Sequence, residues 1–279
     1  MASNLIILCV LLFLISLTKG DNTIKRLQGC HIGSKVQGLH DVKLYLAQYG
    51  YLNYQNPNSA KSDEFDQELE VAVKEYQNFY HLNVTGTLDA PTISTMLKPR
   101  CGQPDIVTNQ TTLPHGVVSH YQFFPNNPRW RKSRLTYAFG SNFPINYVDP
   151  VVRALNRWAF ETGRYFSFAR VYTYPNSDLK ISWEMGDHGD GSVFVNGVLA
   201  HAYSPPDGRF HYNANQNWAI GAKASAFDVE TVALHEIGHL LGLGHSQYQN
   251  AIMWSMISSG TVKGLNSDDI QGIKALYGI

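Results

Sequence analysis

Eleven consecutive residues, His235-Glu236-Ile237-Gly238-His239-Leu240-Leu241-Gly242-Leu243-Gly244-His245, constrain this chain more than any other feature of its sequence. On an α-helix His235 and His239 leave the same face, about 6 Å apart along the axis. One nitrogen from each can then reach a single ion at about 2.0–2.1 Å. Glu236 follows the first histidine and points beside the ion, where it can serve as general base toward a water there. Gly242 falls where the helix must stop, because a residue without Cβ takes the left-handed turn that brings His245 back as a third ligand. Three protein ligands leave a fourth position open, the mark of a catalytic zinc. A bare His-Glu-x-x-His could be an ordinary amphipathic helix; the added glycine and third histidine argue against that reading.

Met253 follows in Ala251-Ile252-Met253-Trp254. With it, the pattern resembles the metzincin zinc proteases and their Met-turn. A second motif, Pro99-Arg100-Cys101-Gly102-Gln103-Pro104-Asp105, resembles the cysteine switch of the matrix metalloproteinases, with Gln103 where valine is usual. A thiolate is a strong zinc ligand, so Cys101 in the open fourth position would displace water and silence the enzyme. Arg100 and Asp105 can pair to hold that segment. The alternative for a lone Cys in such a loop is a small buried hydrophobe.

The same resemblance assigns His188, Asp190, His201 and His211 to a structural zinc, a closed set of three nitrogens and one carboxylate. It also marks departures. Val195, Asn213 and Gln216 stand where the family supplies calcium carboxylates, so calcium should bind weakly or not at all. Asp178 matches a ligand of another family calcium site. Trp254-Ser255 replaces Tyr-Pro in the segment that walls the main specificity pocket, which leaves substrate choice open.

The apolar run Leu5–Leu17, followed by Thr18 and Gly20, reads as a signal peptide, although no Lys or Arg precedes it. It is short for a bilayer span, which needs about 20 residues; an uncleaved anchor is the alternative. No apolar tail closes the chain, so no lipid-anchor signal is expected. Of three cysteines, Cys9 lies in the signal and Cys30 is left without an intramolecular partner if Cys101 binds zinc. Asn83 and Asn109 head N-glycosylation triplets. Twenty-two basic residues balance twenty-two acidic ones with no basic block, so nucleic acid and anionic lipid are unlikely partners by charge.

Residues 28–98 read as a small helical domain. Leu69, Val73, Tyr76 and Tyr80 recur at helical steps, while Val36, Leu39, Val42, Leu44 and Leu46 mark an earlier helix. Asp89 caps a third, with Pro91 just inside it. Ala72–Gln77 and Thr85–Asp89 resemble a peptidoglycan-binding-like domain, which is also what the pro-domain of matrix metalloproteinases looks like. It would bind a sugar or simply clamp the switch; stacking a sugar needs exposed aromatics that the sequence does not place.

A helix is expected after Pro150, with Val152, Leu155, Trp158 and Ala159 on one side. Strands are expected at 135–139, 165–171, 179–185 and 198–203, and a last helix at 268–277. The fold class is therefore α+β: a metzincin-type domain of twisted mixed sheet plus helices, preceded by the helical pro-domain. The expected organisation is signal 1–20, pro-domain with switch 21–105, exposed linker and activation region 106–127, and catalytic domain 128–279. The resemblance, most like the minimal plant members, implies a secreted, monomeric zinc endopeptidase made as a zymogen. It would carry two zinc ions and act on extracellular proteins or peptides, in the apoplast or cell wall if the source is a plant. A binding protein that kept zinc and lost turnover, and a cell-wall carbohydrate binder, are the rival classes.

Overall fold

The computed structural model describes residues 24–106, 120–195 and 197–279. The expected signal peptide, Cys9, Asn109 and much of the expected linker lie outside these residues. The chain divides into two compact units, residues 1–98 and 99–279. Among the described residues no helix is long and apolar enough to cross a membrane.

The first unit is helical: α1 (Leu39–Gln48), α2 (Pro57–Lys61), α3 (Gln67–Phe79) and α4 (Ala90–Met96). The 3.6-residue repeat puts Leu69, Ala72, Val73, Tyr76 and Phe79 of α3 on one buried face. α1 buries Leu39, Val42 and Leu46 but leaves Leu44 exposed, and Val36 precedes the helix. Asp66 caps α3 by accepting from Leu69 N, and Asp89 caps α4 by accepting from Thr92 N, with Pro91 in its first turn. Lys43 and Gln77 are fully buried here. Lys43 Nζ donates to Ser59 O, Ser62 Oγ and Asp66 Oδ2 at 2.9–3.0 Å. The Gln77 amide clasps the loop before α4 through Thr85, Gly86 and Thr87, and the first turn of α4 through Thr92. Asn83 is exposed on that loop.

The second unit is an α+β fold. Strands β1 (Arg134–Phe139), β2 (Ser167–Arg170), β3 (Leu179–Glu184), β4 (Ala200–Ala202) and β5 (Arg209–Asn213) form one sheet in the order β2-β1-β3-β5-β4. All pairings are parallel except β4 with β5. β6 (Trp218–Ala219) and β7 (Phe227–Asp228) form a small second pair. The helices are α5 (Val148–Glu161), α6 (Val229–Leu240) and α7 (Ser267–Tyr277).

The face of α5 that packs inward is Val148, Val151, Ala154, Leu155 and Trp158; the expected Val152 and Ala159 are only half-buried. β5 was not expected as a strand at all. Its alternation is hidden because both faces are covered, Phe210 and Tyr212 by the core and His211 and Asn213 by the loop before β4. α6 is buried nearly all round. Two indoles fix it, with Trp158 Nε1 donating to Leu234 O and Trp130 Nε1 to Leu240 O.

Arg100 and Asp105 of the expected switch are buried. Of the expected linker, residues 106 and 120–127 are described, and its last part packs within the second unit. Gly244 N donates to Gln122 O, and Phe123 packs against the core. The loop after α6 carries backbone donors that must find partners once buried, and residues 120–124 supply them.

Candidate metal centres and active site

α6 begins where Asp228 accepts from Thr231 N and Thr231 Oγ1 at 2.8 and 2.7 Å. It ends where Gly242, at φ +105°, directs Gly242 N to His239 O and Leu243 N to Gly238 O. That paired closure is available only to a residue without Cβ. It delivers His245 to the face already carrying His235 and His239.

The imidazoles are oriented by their second nitrogens. His235 Nδ1 donates to Ile252 O at 2.7 Å and His239 Nδ1 to Leu243 O at 2.8 Å. A carbonyl only accepts, so each Nε2 carries a bare lone pair. These two Nε2 atoms face each other at 3.1 Å. Two acceptors so close repel unless a cation lies between them. Cys101 Sγ is 3.4 Å from His239 Nε2, and His245 Nε2 is buried with no hydrogen-bond partner. Zinc legs of 2.0–2.3 Å imply donor separations of roughly 3.2–3.8 Å in a tetrahedron. The observed spacings lie within a few tenths of an ångström of that, so the donor set fits zinc. Burial holds all three histidines below their usual range, keeping them neutral, the form that binds metal.

The second cluster closes on Asp190 Oδ2, with His188 Nε2, His201 Nε2 and His211 Nδ1 at 2.8–2.9 Å. His188 Nδ1 donates to Gly186 O, so His188 Nε2 also presents a lone pair to the carboxylate. The antiparallel pairing sets His201 directly opposite His211. Three nitrogens and one oxygen with no open side suit a structural zinc. Among the described residues these are the two groups able to hold a metal.

Glu236 lies at the catalytic cluster, buried, with Oε2 unpartnered. Burial raises its pKa to about 8. Met253 is buried against Gly238 of α6, and Asp269 fixes the turn by accepting from Ile252 N and Met253 N.

Residues 99–102 run as an extended strand through the cleft. Arg100 N donates to Gly197 O, Leu199 N to Arg100 O, Cys101 N to Ser255 O and Gly102 N to Ala200 O. A Cβ on Gly102 would meet Val198 and His201 at 3.1 and 3.3 Å, so glycine lets the segment lie that close. Arg100 and Asp105 form a buried two-pronged pair at 2.7 and 3.0 Å. Asp105 Oδ1 also accepts from His245 Nδ1 at 2.8 Å. The Asp105 carboxyl is buried, yet Arg100 and His245 outweigh that and hold it well below the usual carboxylate range. This third orienting contact to a histidine is one that sequence reading missed.

The expected calcium positions hold neutral side chains. Asn213 Nδ2 and Gln216 Nε2 both donate to Val198 O, at 2.7 and 3.2 Å. Two N–H groups thus converge on one carbonyl. Asp178 accepts from Thr136 N and Oγ1 and pairs with Lys132 Nζ at 2.8 Å.

Three histidines on a helix and its closing turn, beside a buried glutamate, define a zinc-peptidase architecture. The matrixin family matches residues 129–278, and the putative peptidoglycan binding domain matches residues 36–96. Metalloendoproteinase 2-MMP of Arabidopsis thaliana is 42% identical over 90% of this chain and 73% of its own length. Metalloendoproteinase 1 of Glycine max is 41% identical over 89% of this chain and 85% of its own. Human matrilysin is 35% identical over 75% and 77%. The chain belongs to the matrixin family and is a zinc metalloendopeptidase.

Proposed function

We propose that the chain is a secreted endopeptidase made as a latent precursor, in which Cys101 holds the fourth position of the catalytic metal site. The observation that carries this reading is the placement of Cys101 Sγ among His235, His239 and His245, next to Glu236. Burial pushes the Cys101 thiol up, and a bound dication inverts that by taking the thiolate as ligand. In this reading His235, His239 and His245 hold the catalytic zinc, His188, Asp190, His201 and His211 hold a structural one, and residues 21–105 form the pro-region. The apolar run before residue 20 and the two glycosylation triplets at Asn83 and Asn109 support export, with extracellular proteins or peptides as substrates and the chain acting as a monomer.

When bound, the catalytic zinc supplies Lewis acidity to a carbonyl and to water. Glu236 does the proton work. As the carboxylate it takes a proton from the attacking water, and it returns that proton to the leaving amine. Its buried setting raises its basicity and keeps bulk water from competing. Calcium has no part in this reading at Val195, Asn213 and Gln216, since the two amides already tie the Val198 carbonyl.

The test treats the purified full chain with a thiol-reactive mercurial and follows a quenched peptide with a large apolar residue after the scissile bond. Hydrolysis is expected only after treatment. Glu236→Gln should keep zinc and lose about 10²–10⁴-fold in rate. A near-normal rate in zinc-loaded Glu236→Gln would refute the assignment.

A further inference from the structure

Beside the catalytic histidines the second unit has a small, partly open pocket. It is too small for more than one side chain. His235 and Glu236 stand at the catalytic end, and Leu199, Val232 and Ile252 form apolar wall. One lining residue does not belong to an apolar slot. Lys263 reaches this pocket from the loop between Met253 and α7.

Its backbone is pinned against the first turn of α6, with Lys263 N donating to Thr231 Oγ1 at 3.1 Å. Its ammonium has three N–H donors, of which one is used, on Gln249 O at 2.7 Å. Among the described residues it makes no ion pair: the nearby Asp269 spends its carboxylate on Ile252 N, Met253 N and Asn266 N. Burial lowers the Lys263 pKa to about 8, which leaves the ammonium charged at neutral pH. A half-buried cation with spare donors gains from an incoming acceptor and repels an incoming cation.

Resting on the endopeptidase reading above, we propose that Lys263 is a specificity-determining residue, making this pocket accept side chains that end in a carboxylate or carboxamide as well as apolar ones. The substrates are then peptides with glutamate or glutamine after the scissile bond, alongside leucine. A peptide carrying lysine there is turned away.

The experiment uses the mercurial-activated protein and four quenched peptides that differ only after the scissile bond, with Leu, Gln, Glu or Lys. Wild type should cleave the Glu and Gln peptides with kcat/KM within about tenfold of Leu and at least about tenfold above Lys. Lys263→Met should lower the Glu:Leu ratio about tenfold or more, as expected for losing a hydrogen bond to a charged group, and Lys263→Arg should preserve it. A merely structural role for Lys263 would lower all four rates together. The proposal is overturned if wild type cleaves Leu yet rejects both Glu and Gln by more than about 100-fold, or if Lys263→Met leaves the Glu:Leu ratio unchanged. Failure of activated wild type to cleave any of the four overturns the endopeptidase reading itself, and this inference with it.

Discussion

Replacing Asp105 by asparagine should break latency while leaving the processed enzyme unchanged. Asp105 Oδ2 accepts from Arg100 Nη1, and Oδ1 accepts from both Arg100 Nη2 and His245 Nδ1. Asparagine keeps the shape but must turn one of those oxygens into an NH₂ group. In either orientation the new donor faces another donor, and the buried guanidinium loses its countercharge. Removing one member of a buried pair costs about 3–5 kcal/mol. The cost falls on the docked segment alone, since an undocked Arg100 is hydrated. At about 1.4 kcal/mol per factor of ten, the undocked fraction rises roughly 10²- to 4 × 10³-fold. The assay is the basal peptidase rate of unprocessed full-length protein, compared with wild type and with Cys101→Ser. Cys101→Ser removes the ligand and sets the ceiling, with spontaneous activity and faster self-trimming after the switch. Once cleavage beyond residue 105 has removed the pro-region, the Asp105→Asn and wild-type enzymes are the same molecule and must share one turnover number. If unprocessed Asp105→Asn stays within about threefold of wild type while Cys101→Ser is active, the buried pair does not hold the switch.

Millimolar calcium and a calcium-selective chelator should leave the melting temperature of activated protein almost unchanged, whereas a zinc chelator should collapse it. A calcium site with Kd near 10 μM would add about 2.7 kcal/mol at 1 mM, or roughly 5–10 °C for this size of domain, so a shift of that size lost in Asn213→Ala or Gln216→Ala refutes the reading. Gly238→Ala tests the Met-turn packing. Its Cβ would overlap Met253 Sδ and approach Trp158 Cζ2 at 3.3 Å; overpacking of about 1–3 kcal/mol should outweigh the roughly 1 kcal/mol gain in helix propensity, and an unchanged or higher melting temperature would contradict this. In the first unit, burial of Asp66 opposes its ionisation, but Lys43, Tyr54 and Leu69 N outweigh it and hold its carboxyl below the ordinary value. Its stabilisation is therefore present above the unfolded pKa of about 3.9 and lost as pH falls through the lower folded value. Circular-dichroism melts of the full chain from pH 7 down to 3 should show that loss, and Asp66→Asn should flatten it.

What the sequence alone determined is what local geometry fixes. Helical pitch places His235 and His239 on one face whatever surrounds them, and Gly242 permits the turn that returns His245. The cap Asp89 and the inward face of α3 follow from the same short-range rules. Tertiary structure decided whatever depends on chain closure. Cys101 reaches His239 across 138 residues and Asp105 reaches His245 across 140; neither spacing is periodic. β5 was invisible because a strand covered on both faces loses its alternation, and only pairing with β4 sets His211 opposite His201. Neutral residues at Asn213 and Gln216 were legible as lost carboxylates, but only the folded loop turns their amides onto Val198 O. Lys263 carried no motif at all. Its position in the pocket is set by backbone bonds to Thr231, 32 residues away, and a contact of that kind exists only once the chain has folded.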